Sequence, residues 1–396
     1  RHLLALATLS GGIATAREAW SLYQTSAGPV LCKTEVERLF LAICPLYPGR
    51  QGLQPVRPDL LGESLVARAL TLDPDQGETL LDACLAGRAS EGVRRHTLTV
   101  LTRLAQHRPD MVTVLTDALT RHFASLANAI IGAGLETGEP LPSSAVTALD
   151  RLKSNERQQV VGLLERSLPG TTVKLANLAL KVAEYRMDFA RRAYERKAGL
   201  EQRRTFISTL NELGTRQFGL AQYEAAESSH RIALHLIQGA SDSFQEMESR
   251  HQGNLGLCLQ GLGRYEEAYS HAISALTINE RLAAAHADRY EPSLAKSLNN
   301  LGTHLDDLGR IEEAAEHAQR ALKIREQLNA DHPGRFEPVL ASSLNNVGKF
   351  LSDLGLLKEG TEHAHRALMI YARLAKEHPD RHEPDLALSL GNMGSH

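Results

Sequence analysis

Apolar residues in the second half of the chain fall at spacings of three and four. Leu298, Leu301, Leu305 and Leu308 form one run, and Gly309 closes it. Ala314, Ala318, Ala321, Leu322 and Ile324 form the next, with charged residues between them. This period lays the apolar side chains along one face of an α-helix. A glycine able to take positive φ ends the first run. Each pair of runs therefore predicts two helices joined by a tight turn, the second from about Ile311 to Leu328. The first half is helical with less regularity. Leu3–Tyr23 is rich in Ala and Leu and broken at Gly11-Gly12. Thr34–Cys44 predicts a helix capped by Thr34, with Glu35 and Glu37 in its first turn. Pro45–Pro58 predicts a loop or short hairpin, and Leu60–Leu72 a helix behind Pro58-Asp59. Arg94–His107 and Met111–Ala129 predict one helical hairpin. Gly132–Pro142 predicts a loop, and Ala145–Leu164 with Thr172–Glu195 a second hairpin.

The paired runs recur. Ser297-Leu-Asn-Asn-Leu-Gly302 returns as Ser343-Leu-Asn-Asn-Val-Gly348, Asp307-Leu-Gly309 as Asp353-Leu-Gly355, and Arg320-Ala-Leu-Lys-Ile324 as Arg366-Ala-Leu-Met-Ile370, each at an offset of 46 residues. Asn254, Asn300, Asn346 and Asn392 keep that offset, and an earlier copy around Gly214 and Tyr223 precedes the next by 42. One such hairpin cannot bury its apolar faces alone, whereas a stack of them can. The positions Leu298, Leu301-Gly302, Leu305, Gly309, Ala314, Ala318 and Ala321 resemble the tetratricopeptide repeat. Leu-Asn-Asn-Leu, Arg320 to Glu326 and Asp331-His332-Pro333 resemble its kinesin-light-chain-like subtype. The resemblance implies an all-α fold: a right-handed α-solenoid of helical hairpins over 201–396, with four full copies and the start of a fifth. It is preceded by a helical arm of atypical hairpins over 76–200 and a small winged-helix-like segment over 1–75. The linkers depart from the family in carrying Asp288-Arg-Tyr-Glu-Pro292, Gly334-Arg-Phe-Glu-Pro338 and Asp380-Arg-His-Glu-Pro384. These read as an architectural insertion, with Arg and Glu pairing between adjacent loops and Pro starting the next helix, and a ligand contact as the alternative.

Stacked hairpins present a concave groove lined by the first helix of each repeat. The resemblance places Asn211, Thr215, Asn254, Asn299, Asn300, Thr303, Asn345, Asn346 and Lys349 there as partner-binding residues. A ladder of Asn amides offers donors and acceptors to an extended peptide backbone. The alternative is that these Asn tie one repeat to the next, and groove use is favoured for the first Asn of each pair. The cation set that clamps a C-terminal carboxylate in chaperone-binding relatives is not reproduced, since Lys296 and Lys349 stand alone. His271, His317 and His363 also repeat at 46. Stacked helices lie roughly 10 Å apart, too far for two such rings to share an ion, so a partly solvated helix face is expected.

The phrase Gly52-Leu-Gln-Pro-Val-Arg-Pro-Asp-Leu-Leu-Gly-Glu63 resembles the segment closing the winged-helix region behind the ATPase of bacterial STAND-type signalling NTPases. Many of these continue into helical hairpins and tetratricopeptide repeats. The chain opens at Arg1, and Asn392 begins a further copy, so a piece of a longer protein is expected. The resemblance then implies a sensor region that recognises a protein or peptide, a phage protein among the candidates in antiphage defence. That sensor would control a missing upstream NTPase. ATP and Mg²⁺ would belong to that part, as would oligomerisation, and no cofactor or metal is expected in these residues. The alternative is a stand-alone scaffold or adaptor joining host proteins. A transcription regulator would need a basic recognition helix, and Leu60–Leu72 holds only Arg68.

Composition narrows the chemistry. The chain has 396 residues, 42% hydrophobic, 5% aromatic and a net charge of −3, which favours helix on helix and no nucleic-acid partner. Residues 1–200 hold 24 Lys and Arg against 20 Asp and Glu, and 201–396 hold 20 against 27. The acidic repeat half favours a partner with basic patches. Cys32, Cys44, Cys84 and Cys258 form no C-x-x-C pair and read as buried, reduced thiols of a cytoplasmic protein. No run of 18 apolar residues calls for a membrane. No G-x-x-x-x-G-K-[ST], H-E-x-x-H or G-x-S-x-G is present, and Gly132-Ala-Gly-Leu-Glu-Thr-Gly138 reads as a connector, so no catalytic residue is expected.

Overall fold

The structure, a computed structural model, describes residues 2–26, 32–43, 59–72, 74–170, 172–239, 242–332 and 334–394. Nineteen α-helices and no β-strand lie among the described residues. No described helix is long and apolar enough to cross a membrane. The chain divides into two compact units, Arg1–Tyr185 and Arg186–His396.

The first unit opens with α1 (His2–Ser10), α2 (Ala16–Ser26), α3 (Lys33–Ile43), α4 (Asp59–Leu72) and α5 (Pro74–Leu85). Gly11, at φ +82°, makes the break after α1. The cap of α3 is Cys32, not Thr34: the Glu35 and Val36 amides donate to the Cys32 carbonyl, and Glu35 reaches back to the Cys32 amide at 2.7 Å. Thr34 already lies inside the helix. Pro45–Pro58 and the first seven residues of the Gly52–Glu63 phrase lie outside the described residues. Then follow α6 (Glu91–His107), α7 (Pro109–Thr137), α8 (Leu141–Arg151), α9 (Ser154–Ser167) and the start of α10 (Ala176–Arg196). Ser90 Oγ caps α6 by accepting from the Val93 amide. On the buried face of α6, Thr97 donates to the Leu9 carbonyl at 2.8 Å and ties α6 to α1.

Two sequence expectations fail here. Gly132–Pro142 is not a loop, because α7 runs to Thr137 and turns only at Gly138, φ +72°. Gly132 and Gly134 are helical because neighbours press on them: a Cβ on Gly134 would stand 2.6 Å from Leu175. Ala145–Leu164 is two helices, α8 and α9, with Leu152 in extended backbone between them. Arg157 holds that corner by donating to the Leu149, Asp150 and Leu152 carbonyls.

The second unit is a run of hairpins. The pairs are α11 (Leu200–Gly219) with α12 (Tyr223–Ile237), α13 (Gln245–Gly261) with α14 (Tyr265–Ala285), α15 (Ala287–Asp307) with α16 (Ile311–Asp331), and α17 (Glu337–Asp353) with α18 (Leu357–Glu377). A last helix, α19 (Pro379–Gly394), follows. Gly263, Gly309 and Gly355 turn three hairpins at φ +74°, +74° and +82°. In the first, Ala221 takes that role at φ +56°, a conformation costly for any residue with a Cβ. The core joins neighbouring repeats, with Leu298, Leu301 and Leu305 packed against Ala314, Ala318 and Ala321 and against Leu344, Val347 and Phe350 of the next hairpin. Each fully buried Leu contributes roughly 1.5–3 kcal/mol. A Cβ on Gly302 would stand 3.1 Å from the Ala314 carbonyl and one on Gly348 2.9 Å from the Gly360 carbonyl, so the two helices of a hairpin touch through glycine.

The linker insertions are helical rather than loops. Asp288–Pro292 forms the first turns of α15, with Pro292 inside the helix, and α19 is built the same way around Pro384. Only before α17 does Gly334, φ +84°, break the extension. Arg289 pairs not with a neighbouring loop but with Glu246 on α13, at 3.1 Å. Within α16, Ile324 packs against the core as expected, though only partly buried, and Arg325 beside it is buried as well.

Candidate functional site

The first helices of three successive hairpins, α11, α13 and α15, wall a cleft of about 300 Å³. Asn211, Thr215, Asn254 and Asn300, all expected in the groove, line it. Gly253 and Leu257 share the wall of α13. The amides run as a ladder: Lys296 Nζ donates to Asn254 Oδ1 at 3.2 Å, and Asn254 Nδ2 donates to Asn211 Oδ1 at 3.0 Å. Half-burial leaves the Asn211 and Asn254 amides with hydrogen-bonding capacity that these bonds do not use.

The other expected residues divide. Asn346 is half-buried and donates to Asn299 Oδ1 at 3.1 Å, and Thr303 donates to its own helix at the Asn300 carbonyl. Asn299 and Asn345 are buried at 8% and 4% exposure, and they accept from Ser343 and Ser389 of the following repeats. The expectation that the first Asn of each pair faces the groove is therefore corrected for Asn299 and Asn345, whereas Asn211, at the same repeat position, does line the cleft. In Leu-Asn-Asn-Leu the first Asn sits one residue after the core Leu and turns into the inter-repeat seam, and the second turns outward. Lys349 is not solitary either: Asp306 at 2.8 Å and Asp353 at 3.0 Å hold it, and these carboxylates keep its pKa above the ordinary value despite partial desolvation.

Several cleft residues escape the sequence reading, in which Lys296 is only a lone cation. Arg250 and Lys296 occupy one repeat position, 46 residues apart, one helical turn before Asn254 and Asn300. Glu246 lies one turn before Arg250 and pairs with it at 2.9 Å. The floor is polar. Asn279 on α14 accepts from Ser249 at 2.8 Å and donates to Ser297 at 2.6 Å and to the Ser293 carbonyl at 3.2 Å. One repeat later Arg325 makes the equivalent bonds, to Ser343 and the Val339 carbonyl, both at 2.6 Å. Burial with no carboxylate partner pulls its pKa down to about 10. A signal did exist, since polar residues recur at 46 inside the apolar register, but periodicity alone does not assign them to seam or groove.

His230 closes the cleft from α12, in the register of Ala272, Ala318 and Ala364. Its Nδ1 lies 2.9 Å from His251 Nδ1 in the buried seam. Burial pushes the two pKa values down to about 3 and about 4, so both rings are neutral at neutral pH and share one N–H. A Cβ on Gly214 would stand 2.6 Å from His230 Nε2, so this ring fills the space that glycine leaves. The repeating His271, His317 and His363 are half-buried, and desolvation lowers the pKa of each. His271 hydrogen-bonds Gln252 at 2.6 Å. No group of His, Cys, Asp and Glu among the described residues is arranged to hold a metal ion. Of the cysteines, Cys84 and Cys258 are buried and Cys32 is exposed, against the expectation of uniform burial, while Cys44 lies outside the described residues.

This geometry, concave walls made by the first helices of stacked hairpins, is that of a protein-interaction module. The tetratricopeptide-repeat family model matches residues 248–327 and again 340–380, and these stretches are tetratricopeptide repeats, which are non-catalytic protein-interaction modules. No curated protein matches the chain. Among solved structures the chain is similar to BtubC (BKLC) from P. vanneervenii, at 21% identity over 56% of this chain and 82% of that one, TM-score 0.44. It is also similar to the apo form of RapI, at 14% identity over 85% and 86%, TM-score 0.42. A third likeness is to a Signal Transduction ATPase with Numerous Domains (STAND) protein with a tetratricopeptide repeat sensor, from Pyrococcus horikoshii. There the identity is 13% over 99% of this chain and 62% of that one, TM-score 0.40. Likenesses this distant add nothing to the assignment that the repeats themselves carry.

Proposed function

We propose that the repeats bind an extended segment of a partner protein in the cleft walled by α11, α13 and α15, and that this binding sets the state of an NTPase upstream in the same protein. The observation that supports the first part is the row Asn211, Asn254 and Asn300 inside one cleft. An extended chain carries one N–H and one C=O per residue that must be paired when buried. Half-buried amides meet that need without demanding particular side chains. The second part rests on the Gly52–Glu63 phrase ahead of the hairpins. A partner that binds one state of the NTPase more tightly than the other shifts the population by that difference in affinity. A foreign protein, such as a phage component, suits a sensor of this kind. ATP and Mg²⁺ would be held by the upstream part.

Exchanging Asn211, Asn254, Asn300 and Asn346 for Ala tests the groove. Far-UV circular dichroism should be unchanged, and partners that co-purify with the wild-type protein should be lost. Undiminished capture refutes the groove as the site. The control of an NTPase is tested by the gene, which must encode a phosphate-loop motif upstream. A gene without one leaves an adaptor.

A further inference from the structure

We infer that the cleft selects an acidic side chain, Asp or Glu, within the bound segment, and that Lys296 is the residue that reads it. This rests on the groove reading above and names the ligand chemistry at its centre. The repeat half as a whole is acidic, with 20 Lys and Arg against 27 Asp and Glu, yet the cleft inverts that balance. Its lining holds Arg250 and Lys296 and one carboxylate, Glu246. Glu246 is already engaged twice, by Arg250 at 2.9 Å and by Arg289 at 3.1 Å. Lys296 has no carboxylate within ion-pair distance among the described residues. Its one hydrogen-bond partner among the described residues is the Asn254 amide oxygen, at 3.2 Å.

The contrast with Lys349 makes the point. Lys349 occupies a later groove position and is neutralised by two aspartates, Asp306 and Asp353. Lys296 is open to solvent but enclosed by the concave walls, and desolvation together with Arg250 and Arg325 pulls its pKa below the ordinary lysine value. No carboxylate among the described residues repays that cost. A carboxylate in the cleft would do so, and it would find neutral donors beside the ammonium in the amides of Asn254 and Asn300 and the hydroxyls of the floor.

The groove decides where on the ligand the carboxylate sits. Cleft-lining residues lie on both sides of Lys296, with Asn211 and Thr215 on α11 in one direction and Asn300, one turn further along α15, in the other. A segment that reaches residues on both sides passes Lys296 between its ends. The anionic group is therefore a side chain and not the end of the chain.

The test is selection from two random dodecapeptide display libraries, one embedded between folded flanks and one with a free C-terminus. The whole chain is the bait, as wild type, Lys296→Gln and Lys296→Arg. Wild type should enrich Asp or Glu at one position of embedded peptides, Lys296→Arg should retain that enrichment, and Lys296→Gln should lose it. A selected peptide carrying Gln for that acid should bind wild type roughly tenfold or more weakly, the value of one hydrogen bond between charged groups, and equally weakly to Lys296→Gln. Binders without acid enrichment, or with enrichment that survives Lys296→Gln, overturn the inference and leave the groove reading standing. Enrichment confined to the free C-terminus moves the anion to the chain end and overturns the inference in this form. Libraries that yield no binder overturn the groove reading itself.

Discussion

His304 provides the sharpest test of the packing. It lies on α15 with no exposed surface, and neither ring nitrogen has a partner among the described residues. Its ring occupies the space left by Gly256, where a Cβ would stand 3.1 Å from Nε2. One repeat later the same position is Phe350, 1% exposed, whose ring lies 3.5 Å from where a Cβ on Gly302 would be. His304→Phe therefore places in the second seam a side chain that the third seam already accepts. It removes two unsatisfied buried nitrogens, which cost roughly 1–3 kcal/mol at neutral pH. It also removes a titration. Desolvation pushes the His304 pKa from 6.5 down to about 4. The folded-state value lies below the unfolded one, so the unfolded chain takes up the proton first as pH falls. The stability is fully present above the unfolded pKa and is lost from there down to the folded one. Between pH 7 and pH 5 that loss is roughly 2 kcal/mol by linkage. His230 and His251 add slopes of the same sign, equal in both proteins. Urea unfolding followed by circular dichroism should find His304→Phe the more stable at pH 7, with the margin roughly 2 kcal/mol wider at pH 5. A variant less stable at pH 7, or a margin that does not widen in acid, refutes the reasoning.

Two further outcomes follow from the same core. Leu344→Ala empties a fully buried site shared by two hairpins and should cost about 2–5 kcal/mol in urea unfolding, with the C-terminal repeats melting first. Ala221→Gly should stabilise by up to roughly 1 kcal/mol, because glycine takes the φ of +56° without strain, as Gly263, Gly309 and Gly355 do in the later turns. An unchanged midpoint for Leu344→Ala, or a lowered one for Ala221→Gly, contradicts the packing or the turn geometry respectively.

The hairpins from Leu200 onward were legible because their signals are redundant. Apolar spacing, closing glycines and the 46-residue offset all name the same helices. The first half lacks that redundancy. Gly132 and Gly134 read as a loop because glycine's commonest message is a turn, whereas here it answers to Arg95 and Leu175 pressing on α7. Nor could periodicity divide the Asn pair. Asn299 and Asn300 are adjacent, and a rotation of about 100° separates seam from cleft, which only the crossing of neighbouring repeats decides. Lys296 and Lys349 looked alike in sequence, and their difference lies in which aspartates the fold brings within 3 Å.

The most direct test of the account uses a photoreactive benzoylphenylalanine at Leu257 on the cleft wall, or at Arg320 on α16, in the full-length protein in its native cells. Arg320 pairs with Glu280 of the preceding repeat and does not line the cleft. Irradiation should give discrete protein adducts from Leu257 and none of the same mass from Arg320. Adducts from Arg320 with none from Leu257 would contradict the claim that these repeats take their partner in the concave cleft.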